Sequence, residues 1–409
     1  MRYIDYVDLG YRPKRSDLVC DFYVEPCGIS LKEAAGAVAA ESSTGTWTQL
    51  TTEQAYVRRL GAKVFSVRGN DIRIAYPVEL FESGNMANIL SSVAGNVFGM
   101  RDLANLRLND IHFPPKILRA YKGPRFGIAG IRKLLRVPKR PLIGTIIKPK
   151  MGLCTADHVR VAYNAWIGGC DIVKDDENLA NQSFNRFEER VKQTLRAREK
   201  AERETGERKV YMANITAETG EMLRRAKFIK AHGGEYAMVD IITCGWSAMQ
   251  TLRAADIGLV LHAHRAMHAA FTRNPKHGIA MSVVAKIARV VGFDQLHIGT
   301  VVGKMSESKA EVLANRDALI KPMGKLKPAF PVASGGLQPG LVPQLMKTFG
   351  NDNIILQFGG GIHGHPLGTR AGAMAVRQAL DAALLKIPLK EYAKSHSELA
   401  VALEHWGAK

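Results

Sequence analysis

The stretch Pro141-Leu142-Ile143-Gly144-Thr145-Ile146-Ile147-Lys148-Pro149-Lys150 decides the fold. Leu142–Ile147 is a short, nearly all-apolar run, the pattern of a strand buried on both faces, and it ends on two lysines. Similar runs recur toward the C-terminus at Asp171–Val173, Val210–Asn214, Ala237–Ile242, Leu259–His262, Gln295–Ile298, Ala329–Ala333 and Ile354–Phe358. Segments with helical spacing separate most of them, among them Phe184–Lys200, Thr219–Ala231, Met281–Val291, Glu307–Leu319 and Leu341–Phe349. Eight such units in about 250 residues predict a (β/α)₈ TIM barrel. A doubly wound open sheet is the alternative, but no glycine-rich nucleotide fingerprint follows the first run. Ala371–Leu385 and Leu389–Trp406 read as a C-terminal helical cap.

Upstream of the barrel the rhythm is different. Leu18–Val24, Lys63–Val67 and Asp71–Ala75 are strand-like, the last two around a turn at Arg68-Gly69-Asn70. Leu31–Ala40 and Met86–Val93 are helical. This mixture predicts a smaller α+β domain of ferredoxin-like type. The chain has 409 residues, more than one core usually organises, so we expect an N-terminal domain over 1–122 and the barrel with its cap over 123–409.

Composition excludes several classes. No apolar run approaches the roughly 20 residues that span a bilayer. The start, Met1-Arg2-Tyr3-Ile4-Asp5, carries no apolar leader, so a cytoplasmic protein is expected. The five cysteines are scattered and odd in number, which argues against a disulfide framework. The formal charge of +19 attracts polyanions, whether nucleic acid or phosphorylated metabolites. The basic segment Arg132–Arg140 has no interleaved aromatic residues for base stacking, so nucleic acid is not the expected partner.

In such a barrel the chemistry lies at the C-terminal strand ends. Those ends carry Lys148 and Lys150, then Lys174-Asp175-Asp176-Glu177, then His262-Ala263-His264-Arg265. Farther on come His297 with Lys304, Ser334-Gly335-Gly336, and Gly359-Gly360-Gly361. The alternation of a strand puts Lys174 and Asp176 on one face, with Glu177 where the strand opens. Two carboxylates at that spacing suit a hard cation such as Mg²⁺, although a solvated acidic loop reads equally well from KDDE alone. Arg265 among the histidines argues for an anion and against zinc. Glycine turns after strands seven and eight occupy the usual phosphate position, and the cation-rich strand ends fit a substrate with phosphate at both ends.

Taken together, GTIIKPKMGL (Gly144–Leu153), GGCDIVKDDEN (Gly168–Asn178), HAHRAMHA (His262–Ala269), HIGTVVGKM (His297–Met305), PVASGG (Pro331–Gly336) and QFGGG (Gln357–Gly361) resemble the blocks of the RuBisCO large subunit. So do ESSTGTW (Glu41–Trp47) and AGNVFGM (Ala94–Met100), and DYVDLGYRP near the start resembles archaeal form III. The resemblance implies an Mg²⁺-dependent ribulose-1,5-bisphosphate carboxylase with oxygenase side activity. Lys174 would be carbamylated by an activating CO₂ and would bind Mg²⁺ with Asp176 and Glu177. The carbamate would take the C3 proton, His264 would assist there, Lys148 would handle protons at C2, and Lys304 would orient CO₂. Lys150 would support Lys148. Arg265, His297 and Ser334 would hold one phosphate side, Gly336, Gly359, Gly360, Thr46 and Trp47 the other, and Gly335 would also bind substrate.

Glu41, Thr46, Trp47 and Asn96 would complete the barrel of a neighbouring subunit. That implies a homodimer with shared sites, or a pentamer of such dimers, and no small subunit. Two departures stand out: Ile146 replaces a threonine, and the stretch from Lys304 to Ser334 is shorter than the family's by roughly a dozen residues. A RuBisCO-like enolase or isomerase acting on a related phosphosugar is the alternative, and such proteins usually lose several of the residues present here.

Overall fold

The computed structural model describes residues 2–303, 307–350 and 352–407. The chain divides into two compact units, one of Met1–Gly123, Met267–Val291 and Pro322–Leu326, the other of Pro124–Ala266, Gly292–Lys321 and Lys327–Lys409.

In the first unit β1 (Leu18–Pro26), a helix (Leu31–Glu41), β2 (Lys63–Arg68), β3 (Asp71–Tyr76), a helix (Met86–Val93) and β4 (Leu103–His112) follow in order. β1 lies antiparallel between β3 and β4, with β2 outside β3. This order is the ferredoxin-like split βαβ arrangement that the sequence predicts. Leu18, Cys20, Phe22 and Val24 alternate inward along β1, as a half-buried strand requires. The first helix starts in a capping box: the Glu33 amide donates to Ser30 Oγ at 3.2 Å and the Ser30 amide to Glu33 Oε2 at 3.0 Å.

β4 is absent from the sequence reading, for a physical reason. Its pairing with β1 shifts register twice, so its apolar residues lose the strict period of two. A two-residue strand from between barrel strands five and six, Gly278–Ile279, extends this sheet parallel to β4.

The second unit is a closed parallel barrel. In barrel order, counted from the first, its strands are Leu142–Ile146, Ile172–Lys174, Val210–Asn214, Tyr236–Asp240, Val260–His264, Gln295–Gly299, Phe330–Ser334 and Ile355–Phe358. Each coincides with a predicted run to within a few residues. The separating helices Thr219–Ala231 and Met281–Val291 match their predicted bounds, although the latter groups with the first unit. The predicted helix over 389–406 is broken, because Ser397–Trp406 starts afresh after His396 leaves helical geometry.

The helix Gly127–Leu135 packs Ile128, Ile131 and Leu135 against Leu142, Ile172, Val210, Tyr236, Val260, Phe330 and Ile355, the first residues of seven barrel strands. It therefore plugs the N-terminal end of the barrel and leaves the C-terminal strand ends as the open face. Asp294 holds the start of that helix, accepting from the amides of Phe126 at 2.6 Å and Gly127 at 2.9 Å. Truncating Ile131, which is fully buried, removes about 2–5 kcal/mol. No helix among the described residues is long and apolar enough to cross a membrane.

Candidate active site

The second barrel strand divides its residues between two environments. Lys174 is fully buried inside the barrel, where its Nζ donates to the Asp175 carbonyl oxygen at 2.9 Å. The same Nζ lies 3.1 Å from Met238 Sδ and 3.5 Å from Glu177 Oε2. Asp175 turns the other way and is sealed by Arg190 Nε at 3.2 Å, Tyr211 Oη at 2.7 Å and the Asn214 amide at 3.0 Å. Asp176 accepts from Lys148 Nζ at 2.6 Å. Of three consecutive acids, the first builds the fold and the next two face the mouth.

The electrostatics follow from burial. Loss of water pushes the Lys174 amine below the ordinary lysine range, and Glu177 and Asp176 only partly restore it. A buried amine with a depressed pKa is a better nucleophile, since more of it is unprotonated. Burial would raise Glu177, but the charges of Lys174, His264 and Lys148 outweigh it and hold the carboxyl at about 2. Glu177 is thus an anion at any working pH. Asp176 and Glu177 each already draw an ammonium, and their hard oxygens suit a divalent cation in the same field. Asp21, Asp110 and His112 in the first unit also converge, but Arg73 and Lys286 neutralise their carboxylates.

On the fifth strand, His264 Nδ1 donates to Asp240 Oδ1 at 2.7 Å. The Ala266 amide also points at Nδ1 from 3.2 Å; the shorter, charge-assisted bond to Asp240 sets the tautomer. Nε2 then points the other way, 3.5 Å from Glu177 Oε2. His297 packs edge-on to His262 and His264, with centroids 4.7 and 5.0 Å away. Burial, reinforced by these neighbours, Lys174 and Arg265, keeps His297 neutral far below the usual histidine range.

Arg265 is almost fully buried, bonded through Nη2 to Glu307 Oε1 at 2.5 Å, while its Nη1 finds no partner among the described residues. Such a guanidinium has donor capacity left for an anion. Gly335 and Gly336 turn with φ of 127° and 72°, a path open to glycine and costly for other residues. Gly359 lies so near Lys148 that a Cβ there would stand 3.3 Å from the lysine Cε.

Lys150 reaches Asn178 Oδ1 at 3.4 Å, and Ser334 ends the seventh barrel strand beside Gly335. Lys304 lies outside the described residues. In the first unit, Glu41 accepts from Tyr3 Oη at 3.1 Å, Thr46 is half-buried, Trp47 is 81% exposed and Asn96 is exposed. Sequence reasoning missed Asp240 and Asn214, whose Nδ2 donates to the Glu177 carbonyl at 2.8 Å. Both end a barrel strand, so the rule that found the others applies to them. Glu307 and Met238 carry no such signal.

With this geometry, the relatives are informative. Residues 5–117 match the N-terminal domain, and residues 127–406 the catalytic domain, of the ribulose bisphosphate carboxylase large chain. A ribulose bisphosphate carboxylase of Methanosarcina barkeri is 54% identical over 98% of this chain and 99% of its own. One from Pyrococcus abyssi is 51% identical over 99% and 97%. The octameric Rubisco of Pyrococcus horikoshii superposes with TM-score 0.96 at 50% identity, covering 100% of this chain and 97% of that one. The dimeric archaeal Rubisco of Hyperthermus butylicus gives 0.92 at 45%, covering 100% of both. Relatives of this kind define a carboxy-lyase. The chain belongs to the RuBisCO large-chain family.

Proposed function

We propose that the chain is an Mg²⁺-dependent ribulose-1,5-bisphosphate carboxylase that also accepts O₂. The observation that carries this is Lys174: a fully buried amine with a depressed pKa, in contact with Glu177 and two residues before Asp176. A structural lysine would be served better by full neutralisation or exposure. A lysine that must add CO₂ needs an unprotonated nitrogen, whose lone pair attacks the carbon while a proton leaves to solvent. The carbamate so formed, with Asp176 and Glu177, would hold Mg²⁺. When bound, the ion supplies Lewis-acid polarisation of the substrate's carbonyl and neighbouring hydroxyl.

The chain's own groups account for the remainder. The Lys174 carbamate takes the proton from C3, and His264 Nε2, oriented by Asp240, exchanges protons with the C3 oxygen. Lys148, between Asp176 and Gly359, serves C2 and protonates the carbon that becomes part of the second 3-phosphoglycerate. Lys150 supports it, and Lys304 orients CO₂. Arg265, His297 and Ser334 bind one phosphate, Gly336, Gly359 and Gly360 bind the other, and Gly335 lies on the substrate beside them. Glu41, Thr46, Trp47 and Asn96 serve the barrel of a second copy, which makes a homodimer the minimal active form; an indole 81% exposed in the single chain fits that role.

The test is fixation of labelled CO₂ into 3-phosphoglycerate after preincubation with bicarbonate and Mg²⁺. Lys174→Ala should abolish it. A wild type that enolises other phosphosugars and forms no labelled product defeats the reading.

A further inference from the structure

We infer that His363, which closes the short helix Gly360–His363, is a positioning residue that fixes the Gly359–Gly361 turn against the first barrel strand and thereby sets its affinity for the phosphate of a sugar bisphosphate. This rests on the phosphosugar reading above. The ring is held at both nitrogens: Nε2 lies 2.8 Å from Thr145 Oγ1, and Nδ1 lies 3.0 Å from Thr369 Oγ1. Thr145, fully buried, donates its one hydroxyl proton to the carbonyl oxygen of Phe358 at 2.7 Å. His363 Nε2–H must therefore donate to Thr145, and Nδ1 accepts from Thr369.

The chain of bonds runs in one direction from Thr369 through His363 and Thr145 to Phe358. Its members bracket the turn: Phe358 precedes Gly359, and His363 follows Gly361 by two residues. The turn itself has three consecutive glycines and no side chain with which to anchor its path. Backbone amides bind phosphate well only when neighbours hold them in place. Thr145 is also three residues before Lys148, whose Cε faces Gly359, so the same bonds set the spacing between that lysine and the turn. Burial, opposed by a hydrogen bond to the Ile146 backbone and aided more weakly by the charge of Lys148, keeps the imidazole neutral by pushing it down to about 4, which preserves the one-way pattern at working pH.

The test uses the full-length protein with Mg²⁺ and calorimetric titration of ribulose-1,5-bisphosphate, alongside steady-state kinetics. His363→Leu should weaken binding about tenfold, raising KM while kcat stays within about twofold, the loss of roughly one buried hydrogen-bonded contact. His363→Gln, which keeps a donor, should recover most of the affinity. Thr145→Val should weaken binding as His363→Leu does, and the double variant should lose little more. If His363→Leu does not fold, the Thr145→Val and Gln arms decide. Unchanged affinity in Thr145→Val and His363→Leu, a fall in kcat alone, or a Gln variant no better than Leu overturns the inference. A wild type that binds the bisphosphate but does not carboxylate it refutes the proposed activity while leaving these affinity ratios readable.

Discussion

Replacing Asp240 with Asn keeps the shape of the group that orients His264 and removes its charge. The contact to His264 Nδ1 is 2.7 Å, and Asp240 is 5% exposed, so water screens it little. The Asp240 amide donates to Thr216 Oγ1 at 3.0 Å, a bond the substitution leaves alone. A charge-assisted hydrogen bond contributes about 1.5–3 kcal/mol. If His264 becomes imidazolium in the transition state, losing that stabilisation lowers kcat by about 10–150-fold. The assay is labelled CO₂ fixation by Asp240→Asn, His264→Gln and the double variant. Because Asp240 acts through His264, its substitution in the His264→Gln background should cost less than about threefold. Equal losses in both backgrounds would show that Asp240 does something else, and the orientation argument would fail.

Three further outcomes are expected. Between its ordinary pKa of 6.5 and the folded value of about 4, His363 takes up a proton only in the unfolded chain. Stability is therefore full above pH 6.5 and falls by up to about 3 kcal/mol as pH drops toward 4; acid-unfolding curves of His363→Gln should lack this component. Asp175→Asn leaves Arg190 charged and buried and should lose about 3–5 kcal/mol, visible as a Tm drop on the order of 10 °C, whereas a drop under 2 °C would contradict the pairing. Arg265→Lys keeps a charge but loses the planar fork, and should raise KM for the bisphosphate about tenfold or more with little change in Tm.

The barrel was readable because each of its strands is short, apolar and buried on both faces, a pattern that survives any tertiary context. β4 was not, since its bulges break the alternation that betrays a strand. Lys174 and Asp176 fell on one side by simple alternation, and Asp175 went to the other as period two demands. Asn214 and Asp240 close strands three and four, the two strand ends from which no candidate was drawn. Contacts such as Arg265 with Glu307, 42 residues apart, depend on how loops pack and leave no local trace. Thr145 is similar: its hydroxyl faces Phe358 and His363, so it does not make good the threonine that Ile146 replaces.

The first unit draws Gly278–Ile279 and the helix Met281–Val291 from between two barrel strands, and Lys286 from that helix holds Asp110 of β4 at 2.5 Å. During synthesis, then, the N-terminal part cannot finish folding as it leaves the ribosome. Its sheet waits with β4 as an open edge while more than half of the barrel is translated. A nascent chain released early would present that edge to other chains, which makes this the segment where a chaperone would be needed most.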